Sequence, residues 1–510
     1  MQKKTARSPR TKPARKSHDN SARISLNKTP GDPLYLQIAA GVEKMIGDEI
    51  LKIGDKLPSV RMFSDEYGVS VGTAFQAYYH LEAKGLIEAR PKSGYYVRFN
   101  MRRMPGLPHI ADPEPIASEV SVQEMIATVY RNISSDDMVN FSISAPPLSL
   151  LPAAKLKRSM LHAMRNSRQQ GVLYEDIQGN PELRRQLARH SFNWGGKFTA
   201  ADVIVTAGCM EALVMCLKAV TRPGDAVAIE NPTFFGIFQV IESLGLKALE
   251  IPTDPVAGID PAQLETAIKK NPVKACVFVP TFSNPLGSCM PDKKKEELVK
   301  LITRCHIPLI EDDIYGEMFF GAHRPRTCKS FDKEGWVLYC NSLSKSLAPG
   351  YRVGWTIPGR FTKQVLLTKL MHTVTGTTLT QEAMAHFLGI GRYDYHLKKL
   401  RKALHTQSLR YLQGIMTWFP PGTKVSRPQG GFVLWIELPR QLNAYHLYQQ
   451  AFRRQVAVAP GQLFSARGQF GNCIRLSYAR PWDEEVEEAI KTLGTLVKEN
   501  VPRSSASSRR

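Results

Sequence analysis

The chain has 510 residues, with 68 Lys and Arg against 46 Asp and Glu, which gives a formal net charge of +22. Hydrophobic residues make up 43% and charged residues 22%, which excludes a wholly disordered chain and a collagen-like one. No run of about 18 uncharged apolar residues occurs, so the sequence predicts no membrane span.

Part of the excess charge lies at the two ends of the chain. Residues 1–30 carry nine Lys and Arg and one acidic residue, without an apolar face, and we predict a disordered basic tail there. A second disordered tail is predicted over residues 502–510. The eight cysteines form neither a Cys-x-x-Cys pair nor a cluster with His, which predicts no metal site and a cytoplasmic, reducing location.

Residues 31–99 have the pattern of three helices followed by a two-stranded hairpin. Apolar side chains at helical spacing indicate the helices, and Ser59 and Ser70 are placed to cap the second and the third. The predicted elements are helices over 33–50, 60–67 and 71–84 and strands over 85–90 and 94–98. This order predicts a winged helix-turn-helix domain, whose third helix enters a DNA major groove by its N-terminus.

The runs Leu57-Pro-Ser-Val-Arg61 and Gly68-Val-Ser70 resemble the DNA-binding domain of GntR-type regulators. The resemblance implies a double-stranded DNA operator as partner. It assigns DNA contacts to Ser59, Arg61, Ser70, Gly72, Thr73 and Gln76, and to Lys92 and Gly94 at the wing. Val71 stands where many members carry Arg, and because valine cannot pair with guanine, we expect a different site preference. The alternative is that this domain is a small dimerisation module.

Residues 100–135 contain four prolines in a mostly polar context, which predicts a semi-extended linker. Over residues 136–501, short apolar runs alternate with helical stretches, which predicts an α/β domain with a largely parallel sheet. Polar clusters follow five of these runs, and in such sheets ligands bind beyond the carboxyl ends of the strands. The clusters lie at 207–211, 230–235, 283–287, 311–315 and 342–345.

The chemistry of these clusters describes one molecule. The helix that starts at Gly208 offers free N–H groups to a phosphate, which Ser342 and Arg352 would also bind. Phe234 offers a flat face to a ring, and Asp312 suits a protonated ring nitrogen. Asn284 and Tyr315 suit a phenolate oxygen, and Lys345 can form an imine with an aldehyde. Together these groups predict pyridoxal 5′-phosphate as cofactor.

The runs Asn284-Pro-x-Gly, Asp312-x-x-Tyr315, Ser342-x-Ser-Lys345 and Pro349-Gly-x-Arg352-x-Gly354 resemble fold-type I aminotransferases. The resemblance implies a large subdomain with a mostly parallel sheet and a smaller C-terminal α+β subdomain. It implies that Lys345, Asp312 and Tyr315 are catalytic and that Arg475 binds a substrate carboxylate. The residues it assigns to the cofactor are Gly208, Cys209, Phe234, Asn284, Asp312, Tyr315, Ser342, Ser344, Lys345, Arg352 and, across a homodimer interface, Tyr174.

A GntR-type domain joined by a linker to this scaffold resembles the MocR-type transcriptional regulators. The resemblance implies a regulator that senses an amino acid or amine through transaldimination at Lys345. A working aminotransferase with an accessory DNA-binding domain is the alternative, because nothing essential to transamination is missing. A third possibility is a DNA-binding protein whose large domain is an inactive dimerisation scaffold, which the complete set of cofactor residues disfavours.

Overall fold

The computed structural model describes residues 33–90, 93–98, 104–120, 138–167 and 171–501. The predicted tails at 1–30 and 502–510 and the wing residue Lys92 lie outside the described residues. The chain forms two compact units, Met1–Met104 and Pro105–Arg510. Within the described residues, no helix is long and apolar enough to cross a membrane.

The first unit is a three-helix domain with a hairpin, as the sequence predicts. Its elements are α1 (Leu34–Gly47), α2 (Val60–Tyr67), α3 (Val71–Ala83), β1 (Ile87–Arg90) and β2 (Gly94–Val97). Side chains at helical spacing form the core, among them Ile38, Phe63 and Leu81. The first helix ends at Gly47 rather than Ile50, because the left-handed residue Glu49 turns the chain and Ile50 N–H donates back to the Met45 carbonyl.

The second unit is an α/β domain with a large sheet and a small one. Its remaining helices are α4 (Ala153–Asn166), α5 (Pro181–His190), α6 (Cys209–Val220), α7 (Phe235–Ser243), α8 (Pro261–Lys270), α9 (Asp292–Arg304), α10 (Thr362–His372), α11 (Thr378–Gly389), α12 (Arg392–Trp418), α13 (Ala444–Arg453) and α14 (Glu484–Asn500). Its strands are β3 (Val139–Asn140), β4 (Ile204–Thr206), β5 (Ala226–Asn231), β6 (Lys247–Asp254), β7 (Gly258–Ile259), β8 (Val273–Phe278), β9 (Leu309–Asp312), β10 (Val337–Ser342), β11 (Gly354–Ile357), β12 (Lys424–Val425), β13 (Val433–Glu437), β14 (Val456–Ala457), β15 (Ala459–Pro460) and β16 (Cys473–Ser477).

The large sheet has the order β4-β11-β10-β9-β8-β5-β6-β7. Strands β10, β9, β8, β5 and β6 are parallel, whereas β11 runs antiparallel to both β10 and β4. The five strands whose ends carry polar clusters therefore run in one direction. Their carboxyl ends meet at one edge of the sheet, which confirms the predicted architecture.

The small sheet is antiparallel, in the order β12-β13-β16-β15. Its two central strands pair through Trp435 opposite Arg475 and Glu437 opposite Cys473. All five residues of β13 and all five of β16 are buried. The small sheet thus holds Arg475 rigidly in the interior of the domain.

Residues 105–120 belong to the predicted linker, and we call them the connecting segment. They lie extended along the second unit: Val425 N–H donates to the Gly106 carbonyl (2.9 Å), and Ser118 pairs with Ala248 of β6. His109 N–H donates to Glu437 Oε2 (2.7 Å). This part of the linker is therefore bound to the domain that follows it in the chain.

Candidate functional site

The polar clusters after the large-sheet strands come together with Arg475 of the small sheet. Asn284 Nδ2 donates to the Tyr315 hydroxyl (3.2 Å), and Arg475 Nη1 donates to Asn284 Oδ1 (3.3 Å). All three side chains are buried. Burial raises the pKa of Tyr315, whereas nearby Arg475 lowers it. The structure thus places two residues predicted to bind a phenolate oxygen beside the one predicted to bind a carboxylate.

Lys345 lies in the loop after β10, where its amine reaches a backbone carbonyl. Nζ donates to the Ser144 carbonyl oxygen at 2.5 Å. Burial, together with the charge of Arg475, lowers the pKa of this amine to about 8, against the opposing effect of Asp312. A larger fraction of Lys345 is therefore neutral near pH 7 than of an ordinary lysine, and the neutral amine is the nucleophile.

Asp312 ends β9 and lies fully inside the domain. Burial raises the pKa of this carboxyl group to about 6, partly offset by hydrogen bonds from the Cys209 thiol and the Ile314 N–H, both at 3.2 Å to Oδ1. Cys209 is the first residue of α6 and is buried. The cysteine assigned to the cofactor thus hydrogen-bonds the carboxylate predicted to face the ring nitrogen.

Gly208 lies before α6 with φ of 91° and close to a guanidinium group. A Cβ atom at this position would lie 2.4 Å from Arg352 Nη2. Arg352 Nη2 donates to the Ala207 carbonyl (2.9 Å), and Arg352 Nη1 donates to Ser344 Oγ (3.4 Å). Ser344 N–H in turn donates to Ser342 Oγ (3.3 Å). A helix N-terminus, two hydroxyls and a guanidinium group are thus assembled around one point, which suits an anion.

Two further predicted residues have different surroundings. Phe234 is half-buried, whereas the adjacent Phe235 is buried with its ring 5.7 Å from that of Phe464. Phe234 is therefore the more accessible member of the pair. Tyr174 is 82% exposed, so the described residues of its own chain leave it largely uncovered.

Sequence reasoning missed the segment that covers Lys345 and Arg475. The Ser142 carbonyl accepts a hydrogen bond from Arg475 Nη2, and the Ser144 carbonyl accepts the one from Lys345. Backbone carbonyls have no sequence signature, so no motif marked residues 142–144. Phe464 was also missed, because no sequence motif marks it. Its ring centroid lies 5.4 Å from the Arg475 guanidinium carbon.

A buried ion cluster next to this site was also missed. Arg324 donates to Asp313 (2.5 Å) and to Glu317 (2.6 Å), and Arg401 reaches Glu317 at 3.3 Å. The Asp313 and Arg324 side chains are at most 3% exposed. The Arg324 guanidinium group lies between these two buried carboxylates and pairs with both, which fixes the chain directly after Asp312.

In the first unit, both predicted caps form. Ser59 Oγ accepts from Met62 N–H (3.2 Å), and Ser70 Oγ accepts from Thr73 N–H (3.0 Å). The other residues assigned to DNA are accessible: Arg61, Gly72 and Gln76 are exposed, Thr73 is half-buried, and Gly94 has φ of 115° at the hairpin.

Two protein-family models match the chain. Residues 136–493 match the aminotransferase class I and II family, and residues 34–97 match the bacterial regulatory proteins of the gntR family. The uncharacterised HTH-type transcriptional regulator YjiR of Escherichia coli is 37% identical over 463 residues, which cover 91% of this chain and 98% of YjiR.

Solved structures agree with the fold of the second unit. A kynurenine aminotransferase from Pyrococcus horikoshii, solved in complex with PMP, has a TM-score of 0.69 at 25% identity, covering 74% of this chain and 95% of that one. The α-aminoadipate aminotransferase LysN from Thermus thermophilus, complexed with N-(5′-phosphopyridoxyl)-L-leucine, has a TM-score of 0.67 at 25% identity, covering 74% and 99%. The chain therefore belongs to the MocR-type regulators, in which a GntR-type helix-turn-helix domain precedes an aminotransferase class I and II domain.

Proposed function

We propose that the protein is a homodimeric, pyridoxal 5′-phosphate-dependent regulator whose affinity for a DNA operator changes when an amino acid or amine binds at Lys345. Lys345 would hold the cofactor through its side-chain amine, and an effector amine would compete with Lys345 Nζ for the cofactor's aldehyde, so that Lys345 would be a free amine when the effector is bound. Such a competition would be reversible, which suits a sensor.

The residues of the site fit the cofactor. A Cβ at Gly208 would collide with Arg352, so only glycine lets the guanidinium group lie against the start of α6, where a phosphate would bind. When bound, pyridoxal 5′-phosphate supplies an aldehyde and an electron-withdrawing ring. Asp312 would hold a proton on the ring nitrogen, Phe234 would stack on the ring, and Asn284 and Tyr315 would bind the phenolate oxygen. Arg352, Ser342, Ser344 and Cys209 N–H at the start of α6 would bind the phosphate.

An effector carboxylate would bind Arg475. This guanidinium group now donates to the Ser142 carbonyl and to Asn284, and an anion is a stronger acceptor than either. Lys345 Nζ, freed by the effector, keeps the Ser144 carbonyl as a partner. The effector would therefore compete with the 142–144 segment for Arg475. Effector binding and a shift of this segment are expected to occur together.

A regulatory role is supported mainly by the attachment of the connecting segment to the two sheets of the second unit. In the chain this segment directly follows the DNA-binding domain. It contacts the small sheet at Glu437 of β13, the strand that pairs with Arg475 of β16, and the large sheet at Ala248 of β6. An effector that displaces Lys345, which follows β10 of the large sheet, and binds Arg475 of the small sheet would act on both sheets. A shift of one sheet against the other would then alter the segment.

A homodimer would complete the cofactor site. Val172, Leu173 and Tyr174 are between 63% and 82% exposed. Such an exposed apolar run is typical of a protein–protein contact. In a dimer, Tyr174 would reach the phosphate bound by the other copy. Arg352 and the Gly208 backbone would supply the phosphate contacts from the same chain.

The second candidate is a working aminotransferase, favoured by the proximity of a partly neutral Lys345 to the buried Asp312. Footprinting on the DNA beside the gene, with the holo-protein, separates the two. We expect sequence-selective protection that changes with an added amine. An absence of protection, together with turnover of an amino donor at ordinary enzymatic rates, would show that the regulator proposal is wrong. The Lys345→Ala protein should lack the absorbance band of the Lys345-bound cofactor.

A further inference from the structure

The outward face of α3 has an unusual composition for a surface helix. Ala74, Ala77, Tyr78 and Leu81 are buried, and the side chains on the opposite face belong to Val71, Phe75, Gln76 and Tyr79. Val71, Phe75 and Tyr79 are 50%, 51% and 56% exposed. From Ser70 to Leu81 the chain has no Lys, Arg, Asp or Glu. A helix face that only meets water is normally charged or polar, so this one is built for contact.

The position of this face identifies its partner. Val71 is the first residue of α3, next to the cap formed by Ser70 and Thr73, and Phe75 lies one turn further along the same side. The second helix of a helix-turn-helix enters the major groove by this N-terminal end. Exposed Arg61 on the neighbouring helix supplies positive charge for the phosphates, whereas the face itself is uncharged.

The major groove offers one apolar group to such side chains. Thymine carries a C5-methyl group there, and valine and phenylalanine can bury it, while neither can pair with guanine as arginine does. We propose that Val71 and Phe75 recognise thymine methyl groups, so that the operator has A·T pairs where they contact it. The proposal rests on the proposed function, since it concerns the same DNA-binding domain.

Replacing thymine by deoxyuridine tests this directly, because uracil lacks the methyl group but keeps every hydrogen-bonding atom. The full-length holo-protein is titrated with the footprinted operator, in which each thymine in turn is replaced. We expect one or two positions per half-site where the Kd rises about four-fold, the effect of losing one buried methyl group. A Kd that is unchanged at every position, with the unmodified operator bound normally, would overturn the proposal.

Variants assign each position to a side chain. Phe75→Ala should bind thymine and uracil equally at one of the sensitive positions, and Val71→Ala at another. Ile50→Ala, which shortens a side chain that is 51% exposed outside α3, should keep the full sensitivity. If Phe75→Ala and Val71→Ala both kept the full sensitivity to deoxyuridine, other residues would contact the methyl groups and the assignment would be wrong.

Two further outcomes remain distinct. If Phe75→Ala converted a dimer to a monomer while the wild type ignored the uracil substitutions, the face would be a protein–protein contact and the proposal would fail. If the wild type protected no DNA at all, the proposed regulatory function would fail, and the thymine proposal with it. Thermal unfolding of each variant checks that its domain is folded.

Discussion

Removing the Glu437 carboxylate should release the connecting segment. This side chain is 10% exposed and accepts from His109 N–H at 2.7 Å, and its Oε1 lies 2.6 Å from His109 Nδ1. A hydrogen bond to a charged group contributes about 1.5 kcal/mol or more. Because the His109 side chain is 58% exposed, solvent screens its share, and about 2 kcal/mol in total is a reasonable expectation. Opening of the segment should then become about 30-fold more frequent.

Hydrogen exchange at Val425 measures this opening. Val425 N–H donates to the Gly106 carbonyl at 2.9 Å, so its exchange reports directly on the segment. Glu437 itself lies opposite the preceding residue, Lys424, and pairs with it at 3.5 Å. Glu437→Ala should speed this exchange about 30-fold if the two sites open together. Glu499→Ala, which removes an exposed carboxylate paired with Arg454 at 3.3 Å, is the matched control and should leave it unchanged.

The effect on regulation follows from the same variant. A released segment no longer moves with the two sheets. The change of operator Kd that an effector causes should therefore be smaller in Glu437→Ala and unchanged in Glu499→Ala. Equal exchange at Val425 in the two variants would refute the estimate of the contact. Fast exchange with an undiminished effector response would refute the proposed route.

Three further predictions concern the cofactor site and its support. Because the pKa of Lys345 is lowered to about 8, cofactor capture by the apo-protein should rise about ten-fold per pH unit below 8 and level off above it, as a stopped-flow absorbance change. Gly208→Ala, whose Cβ would lie 2.4 Å from Arg352, should weaken cofactor binding at least about ten-fold by titration. Arg324→Met leaves two buried carboxylates without their shared partner and should lower the free energy of unfolding by about 3–5 kcal/mol in urea.

Each of these has an internal check. A capture rate still rising at pH 10 would mean that Lys345 titrates as an ordinary lysine. Gly350→Ala, where a new Cβ meets no atom within 4 Å, is the control for Gly208 and should bind cofactor normally. A midpoint of Arg324→Met equal to that of the wild type would show that the carboxylates are satisfied by other means.

Residues at strand ends were predictable because the sheet itself groups them. Lys345, Asp312 and Asn284 follow apolar runs, and once the runs are parallel strands, their ends must meet. The caps Ser59 and Ser70 were predictable for a local reason, since each bonds an N–H three residues away. In both cases the positions of the residues along the chain determine which groups lie close together in the fold.

Contacts between distant residues left no such pattern. The bond from His109 to Glu437 joins residues 328 positions apart, so composition predicted a linker over residues 100–135 but not where residues 105–120 bind. The Ser142 and Ser144 carbonyls act through backbone atoms, which every residue has. The sequence showed that Val71 replaces the Arg found in many GntR-type members. Only the pattern of buried and exposed residues along α3 showed that Phe75 lies on the same exposed face.

Occupation of the Lys345 site should change the affinity of the protein for its operator. Titration of the holo-protein with amino acids and their decarboxylated amines, with cofactor absorbance and operator Kd recorded in the same sample, tests this most directly. A compound that shifts the absorbance should also shift the Kd, with the same midpoint. An operator Kd that stays constant through a complete shift of the absorbance would contradict it.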